Sequence, residues 1–251
     1  MFYRIVNTAA AVCLLVSCTV KENRMACPCA LDVTVHGGND ATVTLSMWNP
    51  SLQHSCTISA EGKDRYLLDI PRGYFEVSAC TGLNHNLPAD GKLVLAEGEQ
   101  MDELFVGREK LEAVRDSVAC DISVHKQYAL INIKVVCMSE SSLPDPVTLH
   151  GNVCGLDLLS LEPVEGGFEV QMHPIFREYC RVCVPRQLDN SLTMNIEGFG
   201  TVPLGEYIAM MGYDWKAEDL DDLEVVVDML ETRVDIRISG WDEGRSFDWI
   251  I

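Results

Sequence analysis

Apolar residues recur at every second position in short runs along most of this chain, and a chain patterned that way folds as stacked sheets. Leu31, Val33 and Val35 share one face, and Val43, Leu45 and Met47 share another after Gly37-Gly38-Asn39-Asp40. That spacing predicts a hairpin with one buried side. Further strand-like runs fall at 56–60, 66–70, 74–79, 92–96, 101–106, 117–124 and 129–137, with Pro71-Arg72-Gly73 joining the second to the third. They resume at 147–153, 167–172, 179–184 and 191–196, while 204–212 reads as a short helix or another strand ended by Gly212. Runs at 223–230 and 233–239 form a last hairpin across Glu231-Thr232. In its second arm Val234, Ile236 and Ile238 alternate with Arg233, Asp235, Arg237 and Ser239, as in an outer strand with one wet face. Turn signals about every ten residues predict antiparallel β-sandwich architecture. Residues 139–146, with two prolines and no apolar rhythm, mark a boundary between an N-terminal domain at 27–140 and a C-terminal domain at 146–251. No long amphipathic helix, internal repeat or low-complexity tract shows in the sequence.

With 47% apolar and 23% charged residues the chain is globular. A net charge of -19 repels nucleic acid and anionic headgroups, which excludes nucleic acid as a partner. Acidic residues are dense only at 218–224, a run without the spaced pattern of a calcium loop, and it reads as a solvated turn.

The first residues follow a different rule. Arg4 precedes an apolar run at 5–16 interrupted by Asn7 and Thr8, too short for a helix of roughly 20 apolar residues to span a bilayer. A charged start, a short apolar centre and a small residue before the cut describe a secretory signal over residues 1–17. Leu15-Val16-Ser17-Cys18 resembles a bacterial lipobox, which implies cleavage between Ser17 and Cys18 and lipid attachment to the Cys18 sulfur, palmitate among the acyl groups. Each buried methylene contributes ~0.8 kcal/mol, so several acyl chains hold a protein at a membrane durably. An ordinary signal peptide with a chance cysteine is the alternative. Residues 18–26 form a polar tether, and the mature 234 residues carry a net charge of -20 once Arg4 is removed with the signal.

Of eleven cysteines, Cys13 leaves with the signal and Cys18 is lipidated, which leaves nine, an odd number. Cys27-Pro28-Cys29 and Cys180-Arg181-Val182-Cys183 look like two halves of a zinc site, but they lie about 150 residues apart and one is C-x-C, a poor match to zinc spacing. Disulfides or buried thiols at Cys27, Cys29, Cys180 and Cys183 are the expectation. Cys56, Cys80, Cys120 and Cys137 sit inside apolar runs, where free cysteine acts as a small core residue. The six histidines are scattered, and no nucleophile elbow, phosphate loop or dinucleotide fingerprint occurs, so no enzymatic activity and no cofactor are expected.

Several segments together resemble the FimB-type fimbrial anchor and assembly lipoproteins of Bacteroidetes-like bacteria. They are the lipobox cysteine, the polar tether, Cys27-Pro28-Cys29, then Leu68-Asp69-Ile70-Pro71-Arg72-Gly73-Tyr74, the stretch at 101–107, and Val202-Pro203-Leu204-Gly205-Glu206-Tyr207-Ile208, with Ile238-Ser239-Gly240-Trp241 closing the series. The cysteine content and the short segment after Trp241 depart from that family. The resemblance implies an all-β fold of two tandem transthyretin-like antiparallel β-sandwich domains. It also implies a surface-exposed outer-membrane lipoprotein, Lys21 and Glu22 resembling its surface-export signal, that anchors or assembles a fimbria and engages fimbrial subunit proteins by β-strand addition. Two alternatives stand beside it: a surface glycan-binding lipoprotein using Trp48, Trp215, Trp241 or Trp249, and a fimbrial stalk or tip subunit. A stalk subunit is expected to release an N-terminal strand after a basic site, which neither Arg24 nor Arg65 provides cleanly.

Overall fold

A computed structural model of the chain describes residues 27–38, 42–49, 54–60 (mostly main chain), 65–86, 88–89, 91–136, 146–173, 179–241 and 243–248. Two β-sandwiches follow one another. In the first, the sheet β4-β1-β8 (Arg65–Ile70, Cys29–His36, Ser117–Ser123) covers β3-β2-β5-β7-β9 (His54–Ala60, Val43–Asn49, Gly73–Thr81, Phe105–Ala113, His125–Lys126). In the second, β13-β10-β16-β17-β18 (Tyr179–Pro185, Tyr128–Val136, Leu223–Asp228, Arg233–Ile238, Arg245–Asp248) covers β12-β11-β14-β15 (Pro163–Met172, Val147–Asp157, Thr193–Ile196, Gly200–Val202). The short strand β6 (Lys92–Val94) and the helix α1 (Leu204–Met210) complete the described elements.

The alternating faces read from sequence are the buried ones. Leu31, Val33, Leu45, Val77 and Ile122 fill the first core, and Ile131, Ile133, Leu149, Val225 and Ile236 fill the second. Burying one such side chain is worth roughly 1.5–3 kcal/mol, so these stripes decide which face of each strand turns inward.

Strand pairing departs from the sequence expectation. β1 and β2 do not form a hairpin. β1 pairs with β4 and β8, whereas β2 pairs with β3 and β5 in the opposite sheet, so the turn after His36 crosses the sandwich. Pro71-Arg72-Gly73 likewise carries the chain from β4 in one sheet to β5 in the other. Alternation reports which face is buried and is silent about which strand lies alongside. Nor is pairing antiparallel throughout: β1–β8 and β10–β16 are parallel ladders, closed by crossovers long enough to hold the intervening strands. The apolar run at 101–106 becomes a strand only from Phe105 onward. β17 has the expected wet and packed faces, but β18 lies outside it. The ambiguous stretch at 204–212 is the helix α1, and Gly212 follows it with φ +82°.

The two sandwiches repeat one topology. First strand, second strand crossing to the facing sheet, hairpin partner, return beside the first strand, then a fifth and a sixth strand, and finally a strand parallel to the first: this order runs β1-β2-β3-β4-β5-β7-β8 and again β10-β11-β12-β13-β14-β15-β16. The cores part near residues 125–127 rather than at 139–146, because β10 pairs with β13 and β16.

The connection between β5 and β7 helps lock the modules together. Between β5 and β7 the chain leaves the first sandwich, adds β6 to the edge of β11, and buries Leu93, Leu95, Met101 and Leu104 in the second core. The Asp102 carboxylate, itself buried, accepts backbone N–H bonds from Asn84, His85 and Asn86 at 2.9–3.1 Å and closes this loop on itself.

Candidate functional site

Cys29 lies in the first core and Cys180 and Cys183 in the second, so the two cysteine motifs do not meet, and Cys27 is exposed. Cys27, Cys29 and Cys183 carry free thiols, as do Cys80, Cys120 and Cys154. Among the described residues no cluster of three His, Cys, Asp or Glu side chains is placed to hold a metal. Burial pushes the Cys80 thiol up to about 12 and that of Cys120 to about 11. Burial, with Glu103 nearby, does the same to Cys183, which reaches about 12. Thiols held that far from ionisation are packing groups and poor nucleophiles. His125 sits between Asp219 at 3.0 Å and Glu218 at 3.1 Å, His150 faces Glu169 at 3.3 Å, and His36 faces Asp121 at 3.5 Å. Each of the three pairs with a surface carboxylate. Ser17, Cys18, Cys56, Cys137 and Trp249 lie outside what is described of the side chains.

The acidic run at 218–224 does bind, but internally. Asp219 accepts from the Lys126 backbone N–H at 2.6 Å, and Asp222 accepts from the Leu130 backbone N–H at 2.9 Å and from the Lys126 ammonium. These carboxylates stitch the segment before β16 to β9 and the start of β10.

What the fold leaves available is sheet edge. A row of unpaired N–H and C=O groups along an edge strand is a template for another extended segment. Most edges here are guarded. β9, β15 and β18 are two, three and four residues long. β12 starts at Pro163, shifts register twice against β11 and shows Glu165 and Glu169 to solvent. In the second sandwich, β17 lies beside β16, and the other flank of that sheet is touched by the β5–β7 connection: Met101 donates to the Cys183 carbonyl at 3.1 Å, and Gln100 accepts from the Cys183 N–H at 3.0 Å.

The equivalent sheet of the first sandwich, β4-β1-β8, has no strand beyond β4 or β8 among the described residues. On β4, Leu67 is 73% exposed, the most exposed large apolar residue of the described chain. Arg65 pairs with Asp32 on the same outer face. At the far end of β8 the sheets close tightly, since a β-carbon on Gly107 would stand 2.1 Å from the Ser123 carbonyl oxygen. Beyond that corner a groove of about 680 Å³ runs between the sandwiches, lined by Arg108, Glu109, Asp121, His125, Lys216 and Glu218 among others, with no Phe, Tyr or Trp among the described residues of its walls.

Among the described residues no two tryptophan rings pack against each other. Trp48 sits on β2 in the first sandwich and is 38% exposed, Trp241 follows β17 in the second, and Trp215 packs edge-on against Tyr213 at 4.7 Å. No described helix is long and apolar enough to cross a membrane.

No protein-family model matches the chain, and no curated protein is similar to it in sequence. Solved structures do share its fold. A protein of Bacteroides thetaiotaomicron, provisionally described as polysaccharide-binding, superposes with a TM-score of 0.61 at 13% identity, over 87% of this chain and 98% of its own. A provisionally described adhesin from the same organism gives 0.58 at 14% identity, over 86% and 97%. The fimbrial anchor protein Mfa2 of Porphyromonas gingivalis gives 0.58 at 12% identity, over 86% and 98%. The tandem sandwich is therefore the fold of adhesins and fimbrial proteins from this group of bacteria.

Proposed function

We propose that this chain is a non-catalytic, outer-membrane lipoprotein, exposed at the cell surface, that anchors or assembles a fimbria, held by lipid at Cys18 and engaging fimbrial subunit proteins through the free edges of the sheet β4-β1-β8. The observation that carries this reading is the contrast between equivalent sheets: the second sandwich flanks its sheet on both sides, whereas in the first no strand lies beyond β4 or β8 among the described residues. Main-chain pairing at such an edge gives affinity, while side chains such as Leu67 on the outer face give selectivity. The fold shared with the fimbrial anchor protein of Porphyromonas gingivalis supports the same role, and the lipobox supplies the attachment.

Hydrogen exchange on the purified chain with and without isolated fimbriae tests the docking sheet. Protection gained within 65–70 or 117–123 supports it, and protection confined to the second sandwich refutes it. Deleting the gene tests the role, with fimbriae shed into the medium expected and firmly attached fimbriae contradicting it.

A further inference from the structure

Two arginines occupy equivalent places in the repeated topology. In the register of the first sandwich Cys29 pairs with Ile70, and in that of the second Ala129 pairs with Val184. Both β4 and β13 then run into Pro-Arg, as Ile70-Pro71-Arg72 and Val184-Pro185-Arg186. Arg72, whose side chain is 5% exposed, donates from Nε to the Cys27 carbonyl at 3.1 Å, from Nη1 to the Val114 carbonyl, and from Nη2 to Asp116 at 2.6 Å. Arg186, also buried, donates from Nη2 to the Gln127 amide oxygen at 2.9 Å and from Nη1 to the carbonyls of Trp215 at 2.6 Å and Ala217 at 2.7 Å. Cys27 and Gln127 each stand two residues before the register positions just matched. Residues 114–116 and 215–217 lie in the connections that precede β8 and β16. In both sandwiches, then, one planar guanidinium joins the end of the returning strand, the residue before the first strand, and the loop before the strand parallel to it.

We infer that Arg72 and Arg186 are force-bearing locks, each fastening the point at which the chain enters a sandwich to the two strands flanking the first one. This rests on the anchoring reading, in which tension arrives along the tether from Cys18. Tension drawn through Cys27 pulls β1 lengthwise between β4 and β8, loading both ladders in shear. The residues nearest the pull are loaded first, and there Arg72 ties three chain segments with a rigid fork. In the second sandwich the entering residue is Gln127, directly after β9 leaves the first. A lysine ammonium, one point charge on a flexible stem, holds such a fork poorly.

Single-molecule stretching of the unlipidated mature chain, with handles at its two ends, tests this. Arg72→Lys is expected to lower the unfolding force of the first-sandwich step by roughly a third and leave the second step unchanged, while Arg186→Lys does the reverse. Asp116→Asn, which keeps the fork and weakens one arm, gives a smaller drop in the first step. With handles moved to the exposed positions His36 and Trp48, which load the first sandwich from the end of β1 opposite Cys27, Arg72→Lys leaves the force unchanged. An equal loss in both geometries marks Arg72 as a general stabiliser and overturns the inference, as does no loss when the ends are pulled. Because the chain used carries no lipid, a failure of attachment at Cys18 shows separately, in mass spectrometry of the native N-terminus.

Discussion

Gly155 of β11 lies so close beneath Leu93 of β6 that a β-carbon on the glycine would stand 2.0 Å from the leucine carbonyl oxygen. This is where the first sandwich lends a strand to the second, and the contact tolerates no side chain. Gly155→Val is expected to lower stability by about 1–3 kcal/mol, the usual cost of overpacking, read as a shifted denaturation midpoint. Gly167→Ala, where nothing lies within 4 Å of an added β-carbon, stays within about 0.5 kcal/mol of the parent. Equal effects at the two sites contradict the junction described here.

Asp102 holds the same connection from its other end. Asp102→Ala leaves three backbone donors, from Asn84, His85 and Asn86, without their acceptor. A cost of roughly 1–3 kcal/mol follows from stranding the buried Asn86 donor along with the two more exposed ones. The loop also covers Cys183, so its alkylation rate should rise in the variant. An unchanged rate places the cover elsewhere.

The thiols give a pH dependence with a definite sign. In the folded chain burial raises Cys80 and Cys183 from 9.0 to about 12 and Cys120 to about 11, so the unfolded chain releases these protons first. Their stabilising contribution is complete below about pH 9 and is lost as pH rises through 11 to 12. Denaturation midpoints should fall across that window. Site-resolved alkylation at pH 8 should mark Cys27 quickly and Cys29, Cys80, Cys120, Cys180 and Cys183 only after unfolding. Rapid native labelling of Cys80 would contradict the packing.

Leu67 separates stability from docking. It is exposed on an edge strand, so Leu67→Glu should change folding stability by no more than about 0.5 kcal/mol. A charge placed beside an incoming strand should nonetheless weaken fimbria binding severalfold, as measured by surface capture of purified fimbriae. Unaltered capture argues that β4 is not the docking edge.

The buried faces of the strands were legible in the sequence because alternation is a local property, as Leu31-Val33-Val35 and Val225-Val227 illustrate. Partners were not, because β1 pairs with strands that begin at Arg65 and Ser117, far along the chain. The boundary expected at 139–146 marks a break in apolar rhythm, whereas the cores part earlier, where the chain passes from β9 in the first sandwich to β10 in the second. The duplicated topology has little trace in the sequence, since its clearest shared signature is the Pro-Arg pair after β4 and β13, two residues long and visible only once the strands are aligned. Asp102 and Gly155 carried no signal, for their roles exist only in the folded junction. Cys27, Cys29, Cys180 and Cys183 drew attention by spacing alone, and the fold disperses them.

Fimbria retention in cells carrying Cys18→Ala in place of the parent chain tests the central proposal most directly. If lipid at this sulfur is the attachment, the variant chain and the fimbriae appear together in the medium while the bare cells still produce fimbrial subunits. Fimbriae remaining on cells, with the variant still in the membrane fraction, would contradict it.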